Sequence, residues 1–158
     1  MNVLAEAHKT FLIDLLQSGT EFMLIGGYAV NFHGYPRYTS DMDIWLKPDN
    51  QNKVHLVPFL QNKGFNKESI AHILELNFTI AQSFHIGQDE TRIDFLTKIS
   101  GVQFDEAWQQ HVKLPLQNMQ IPVIHYHHLI INKMCSNRLK DKADVEELQK
   151  INQHKSKP

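Results

Sequence analysis

Apolar residues fall at helical spacing near the start of the chain: Leu4, Ala7, Phe11, Leu12, Leu15 and Leu16 share one face, and Ser18-Gly19 ends the pattern. This predicts an amphipathic first helix. From Glu21 to Ile25 the run is short and mostly apolar, as in a strand. Gly26-Gly27 closes it, and Tyr28, Ala29, Val30 and Phe32 return to helical spacing as far as Gly34. Tyr35-Pro36 breaks that helix, and Asp41 to Lys47 forms a second strand pattern stopped by Pro48. Asn50 to Lys63 predicts a helix with Val54, Val57, Phe59 and Leu60 inward, a kink or boundary at Pro58, and Gly64 as its stop.

Farther on, Phe78, Ile80, Phe84 and Ile86 come near to alternation within residues 76 to 87, and the strand-like Thr91 to Thr97 follows after Gln88-Asp89-Glu90, which predicts a hairpin. A short helix is expected near 104 to 109, then an extended stretch from 112 to 126 containing Pro115 and Pro122. Two helices close the pattern, one from 127 to about 137 and one from 141 to 152 with Val145, Leu148 and Ile151 on one face. Strands mixed with helices, together with a hairpin, predict an α+β (mixed α/β) fold.

The chain has 158 residues, 42% hydrophobic and 21% charged, the size of a single domain with a full core. We expect one domain over 1–158, its core at about 20–100 and a helical C-terminal part at about 125–152. With 16 Lys and Arg against 17 Asp and Glu, the net charge is -1, so no general attraction to nucleic-acid backbones is built in. The first residues lack the basic and long apolar regions of a signal peptide, and no stretch approaches the ~20 apolar residues of a membrane span. A soluble, cytoplasmic protein is the expectation. The single cysteine, Cys135, lies in an apolar helical pattern and is expected to be a core or half-buried thiol.

Candidate chemistry centres on Asp41 and Asp43. Strand alternation turns both to one face while Met42 and Ile44 point to the core. Paired carboxylates at short range suit a hard divalent ion such as Mg²⁺, completed by water and substrate phosphate, although a solvated strand edge also explains an Asp-x-Asp. Asp94, between Ile93 and Phe95, faces away from those two. If its strand pairs beside the strand of Asp41 and Asp43, the three acids converge. Gly26-Gly27, at a strand's end shortly before the acids, lets backbone approach a ligand, and Arg37 and Thr39 lie where they can reach phosphates.

Taken together, Gly26-Gly27, then Asp41-Met42-Asp43-Ile44, then a distant Ile93-Asp94-Phe95 resemble the signature of the DNA polymerase β-like nucleotidyltransferase superfamily. More narrowly, Ile25 to Leu46 is similar to small bacterial nucleotidyltransferases of the AbiEii toxin type and their unassigned relatives. The later part of that family resembles Leu129 to Leu148, where Lys133 precedes the stretch Lys140-Asp141-x-x-Asp144. The resemblance implies a mixed β-sheet flanked by helices, a nucleoside triphosphate as donor and two Mg²⁺ ions. It also implies metal binding and catalysis by Asp41, Asp43 and Asp94, and nucleotide contacts from Gly26, Gly27 and Lys133. Transfer of a nucleoside monophosphate to a hydroxyl acceptor follows, the acceptor being a small molecule, a protein side chain or an RNA end. The alternative is a non-catalytic nucleotide-binding or partner-binding module, one half of a toxin–antitoxin pair.

Arg138, Lys140, Asp141 and Asp144 form a charged patch between the last two helices, which a helix start also explains. His125, His127 and His128 lack the ligand number and spacing of a structural zinc site and are expected at a helix start.

Overall fold

The computed structural model describes residues 4–156; the ends of the 1–158 span, residues 1–3 and 157–158, lie outside the described part. The chain runs α1 (Glu6–Gln17), β1 (Phe22–Ile25), α2 (Gly26–Phe32), β2 (Met42–Leu46), α3 (Asn52–Asn62), α4 (Lys67–Glu75), β3 (Ser83–Ile86) and β4 (Ile93–Leu96). It continues through α5 (Phe104–Gln110), β5 (Val112–Leu116), β6 (Met119–Val123), α6 (Tyr126–Met134) and α7 (Leu139–Ser156). The six strands form one mixed sheet in the order β3-β4-β2-β1-β6-β5. β2 pairs antiparallel with β1 and parallel with β4, and β1 runs parallel to β6. This is the mixed α/β architecture anticipated above.

β1 and β2 lie at the centre, which is why their patterns are nearly continuous rather than alternating. All of β1 is buried, and in β2 only Asp43 is not. Phe22, Met42, Ile44, Trp45 and Phe95 sit deep in the core, and the Trp45 indole donates to the Thr97 carbonyl at 3.1 Å, tying β2 to the end of β4. In α1 the inward position expected for Ala7 is taken by His8, whose Nδ1 lies 2.9 Å from the Tyr28 hydroxyl of α2.

Several elements depart from the pattern. Helix α3 runs through Pro58 because the proline sits on the exposed face, where the carbonyl it leaves without an intrahelical donor meets water. Val54, expected inward, is 61% exposed on that same side. Helix α4, for which the pattern carried no prediction, starts at Asn66, whose side chain accepts from the Ser69 amide at 2.8 Å, and buries Ile70 and Ile73. The strand expected from 76 is shorter, β3 beginning only at Ser83. Ahead of it the Thr97 hydroxyl donates to the Ile80 carbonyl at 2.7 Å and accepts from the Gln82 amide at 2.8 Å, holding 80–82 as a loop with Ile80 exposed. The extended stretch after residue 111 is a hairpin, β5–β6. Gln117 and Asn118 turn it with φ of 46° and 69°, the two positive values a tight type I′-like connection needs. Among the described residues no helix is long and apolar enough to cross a membrane.

Candidate active site

The three aspartates meet at the centre of the sheet. The parallel register of β2 and β4 sets Asp43 directly opposite Asp94, with Met42 against Ile93 and Ile44 against Phe95 on the buried face. Asp41 precedes β2 by one residue, so alternation returns it to the side of Asp43. All three line one cavity of about 940 Å³, with Gly26, Gly27, Arg37, Thr39 and Lys133 also on its walls. Every residue singled out from the sequence as a site candidate is therefore in one place.

The glycines are required by the acids themselves. Gly26 takes φ +68°, and a Cβ there would stand 2.1 Å from Oδ2 of Asp43. At Gly27 a Cβ would stand 2.4 Å from the Thr39 hydroxyl. The close approach expected of backbone to a ligand is thus, in the protein alone, an approach of backbone to Asp43 and Thr39. Thr39 donates to the Asp41 carbonyl at 3.2 Å, and the Asn31 amide donates to the carbonyls of Tyr35 and Arg37 at 2.9 and 2.7 Å. These bonds give the segment 35–41 its shape.

Crowding of like charge shows in Asp43. Burial first, then repulsion from Asp94 and Asp41, pushes its carboxyl up to about 6, with Lys133 and Arg138 partly opposing. Asp94 is engaged by Arg92, whose Nη2 and Nε lie 3.0 and 3.2 Å from Oδ1.

The cavity's other wall is a buried ion network. Lys133, which the resemblance makes a nucleotide contact, is 5% exposed. Its ammonium lies 2.9 Å from Asp141 and 3.0 Å from Asp144. Arg37 grips Asp144 with two bonds of 2.7 and 2.9 Å, and Arg138 donates to Asp141 at 3.0 Å. Burial alone would raise Asp141, but hydrogen bonds from Ser136 and Lys133 and the charges of Lys133 and Arg138 outweigh it and hold its carboxyl below the usual range. The patch expected between the last two helices is therefore a clamp between segment 35–41, α6 and α7.

Cys135 corrects an expectation. It follows the buried face of α6 made by Leu129, Ile130 and Lys133 and is exposed, on the cavity wall. His125 caps α6, its Nδ1 accepting from the His127 amide at 3.0 Å, as a helix-start histidine should. Lys98, on the cavity wall two positions beyond Leu96, went unnoticed in the sequence. The signal available was the alternation Asp94, Leu96, Lys98, which carries all three to one face.

A solved structure of similar shape is that of the lincosamide antibiotic adenylyltransferase LnuA with lincomycin bound. It is 16% identical over 94% of this chain and 98% of that one, with a TM-score of 0.57. The fold is nucleotidyltransferase-like. No family model matches the chain, and no curated protein matches it.

The donor set fits a hard divalent ion in its chemistry: oxygen ligands only, two of them on a face where mutual repulsion calls for positive charge. It does not form a finished cage. Among the described residues no three His, Cys, Asp or Glu side chains are arranged to hold a metal together. Mg²⁺ ordinarily takes one or two carboxylates and completes its shell with water and substrate phosphate, a demand this site meets.

Proposed function

We propose that this chain is a nucleotidyltransferase that moves a nucleoside monophosphate from a nucleoside triphosphate to a hydroxyl acceptor. The observation that carries the reading is the Asp43–Asp94 register across β2 and β4, with Asp41 on the same side and Gly26 packed against Asp43, all on one open cavity.

In this reading Asp41 and Asp43 hold Mg²⁺ together with the donor's phosphates, and Asp94 completes the acid set on the acceptor side. Bound there, the two ions of the superfamily's mechanism supply charge neutralisation for the phosphates and acidity for the attacking hydroxyl. The acceptor oxygen bonds to the α-phosphorus as the bond from that phosphorus to the pyrophosphate oxygen breaks, in line. Asp94 takes the hydroxyl's proton at Oδ2, the oxygen Arg92 engages less closely. Gly26 and Gly27 admit Asp43 and Thr39 against the backbone and so set the floor on which the nucleotide lies. Arg37 and Lys133, ion-paired to Asp144 and Asp141, fix the helical wall of the cavity in place.

The similarity to a lincosamide adenylyltransferase and the resemblance to AbiEii-type toxins suggest two acceptor classes, a small hydroxylated compound and a macromolecular end. Titration calorimetry with ATP, GTP, CTP and UTP, with and without Mg²⁺, tests the core of the proposal. We expect Mg²⁺-dependent binding of at least one triphosphate that disappears in Asp41→Ala/Asp43→Ala. Failure of all four to bind would transfer the case to the partner-binding module. Asp94→Asn should depress turnover far more than nucleotide affinity, and equal loss of both would remove its acceptor-side role.

A further inference from the structure

Five cationic side chains stand on the cavity wall, and their commitments differ. Arg37, Lys133 and Arg138 are bound to Asp141 and Asp144, acids whose side chains are 3% and 2% exposed. Lys133 and Arg37, with side chains 6% and 15% exposed, could turn to a ligand only by taking a cation from a buried carboxylate, and Lys133 serves both acids. Arg138 is more exposed and shares Asp141 with Lys133. Lys98 and Lys140 are different. Both are exposed, and among the described residues neither has an ion pair or hydrogen bond. Each ammonium can turn to a ligand at no cost in protein contacts.

Their placement is complementary. Lys98 lies on the strand continuation that carries Asp94 and Leu96 to the same face, and Lys140 is in the first turn of α7, on the helical wall. Ser100, Ser136 and Asn137 add short neutral polar side chains to the same cavity. The aspartates make their part of the cavity negative, so an anionic substrate needs positive charge elsewhere on the wall, and these two lysines are the uncommitted source of it.

We propose that Lys98 and Lys140 bind the polyphosphate of the donor nucleotide, while Arg37 and Lys133 act as positioning residues that never release their acids. This rests on the nucleotidyl-transfer reading above and assigns its phosphate contacts to different side chains.

The test is calorimetry in Mg²⁺ with the four nucleoside triphosphates and with inorganic tripolyphosphate. Wild type is compared with Lys98→Gln, Lys140→Gln, Lys98→Arg and, as a remote control, the exposed Lys113→Gln of β5. We expect each cavity Lys→Gln change to weaken both the triphosphate and tripolyphosphate by about tenfold, the worth of a charged hydrogen bond, with Lys98→Arg retaining affinity and Lys113→Gln silent. If the wild type binds a triphosphate and both glutamine variants bind it equally well, the lysine assignment falls and the donor reading stands. Weaker tripolyphosphate with unchanged nucleotide affinity would place the lysines at a phosphate outside the donor site and equally overturn the assignment. A wild type that binds none of the four triphosphates takes down both.

Discussion

The Cβ that Gly26 lacks would stand 2.1 Å from Oδ2 of Asp43, at a residue whose φ is +68°. Gly26→Ala therefore meets a backbone penalty and a collision together, and Asp43 must move. The expected loss is roughly 1–3 kcal/mol in denaturant unfolding, accompanied by loss of Mg²⁺-dependent nucleotide binding. Asp43 has its own pH signature. Its folded carboxyl lies near 6 against an ordinary 3.8, so the folded state holds the proton more tightly. That contribution is full below about pH 4 and is lost as pH rises through 6, amounting to at most about 3 kcal/mol. In EDTA, Asp43→Asn should be the more stable protein at pH 8, and its advantage over wild type should vanish near pH 4. Parallel stability curves would show that Asp43 is not crowded.

At the scale of elements, α6 and α7 are held to segment 35–41 by charges rather than by apolar surface alone. Lys133→Met leaves Asp141 and Asp144 short of their shared cation in a buried setting, for an expected loss of about 3–5 kcal/mol by chemical denaturation. A loss below ~1 kcal/mol would mean the acids are solvated. The central elements were legible from the sequence because apolar continuity in β1 and β2 and alternation around Asp94 are local properties. Alternation also placed Asp41, Asp43 and Asp94 on their faces, but convergence depended on β4 choosing β2 as its parallel neighbour, which no local pattern encodes. The fate of Lys133 was hidden for a similar reason. Helical spacing does not tell a buried lysine from a solvated one when its partners, Asp141 and Asp144, come from the next helix. Helix α4, by contrast, had visible signals, the Asn66 cap and the Ile70–Ile73 pair, too short to stand out.

For the molecule as a whole, the proposed ligands should be linked to folding. A triphosphate with Mg²⁺ that binds only the folded protein adds about 2.7 kcal/mol at a hundred times its Kd. Thermal melts should therefore rise with Mg²⁺ and nucleotide together, and stay flat in Asp41→Ala/Asp43→Ala. A rise that persists in that variant would place the ligand elsewhere.

The Arg37–Asp144 bond joins positions separated by 107 residues. The β1–β2 pair needs no such reach, since the two strands are neighbours in sequence as well as in space, and the remaining strands of the sheet are complete by Val123. Folding should accordingly produce a finished platform before it produces a working mouth. In pulse-labelled hydrogen exchange during refolding, amides of 22–25 and 42–46 should gain protection first and those of α7, which carries Asp144, last. A chain still emerging from the ribosome would carry its acids on a formed sheet and yet stay chemically silent until residue 144 arrived to draw the mouth into shape.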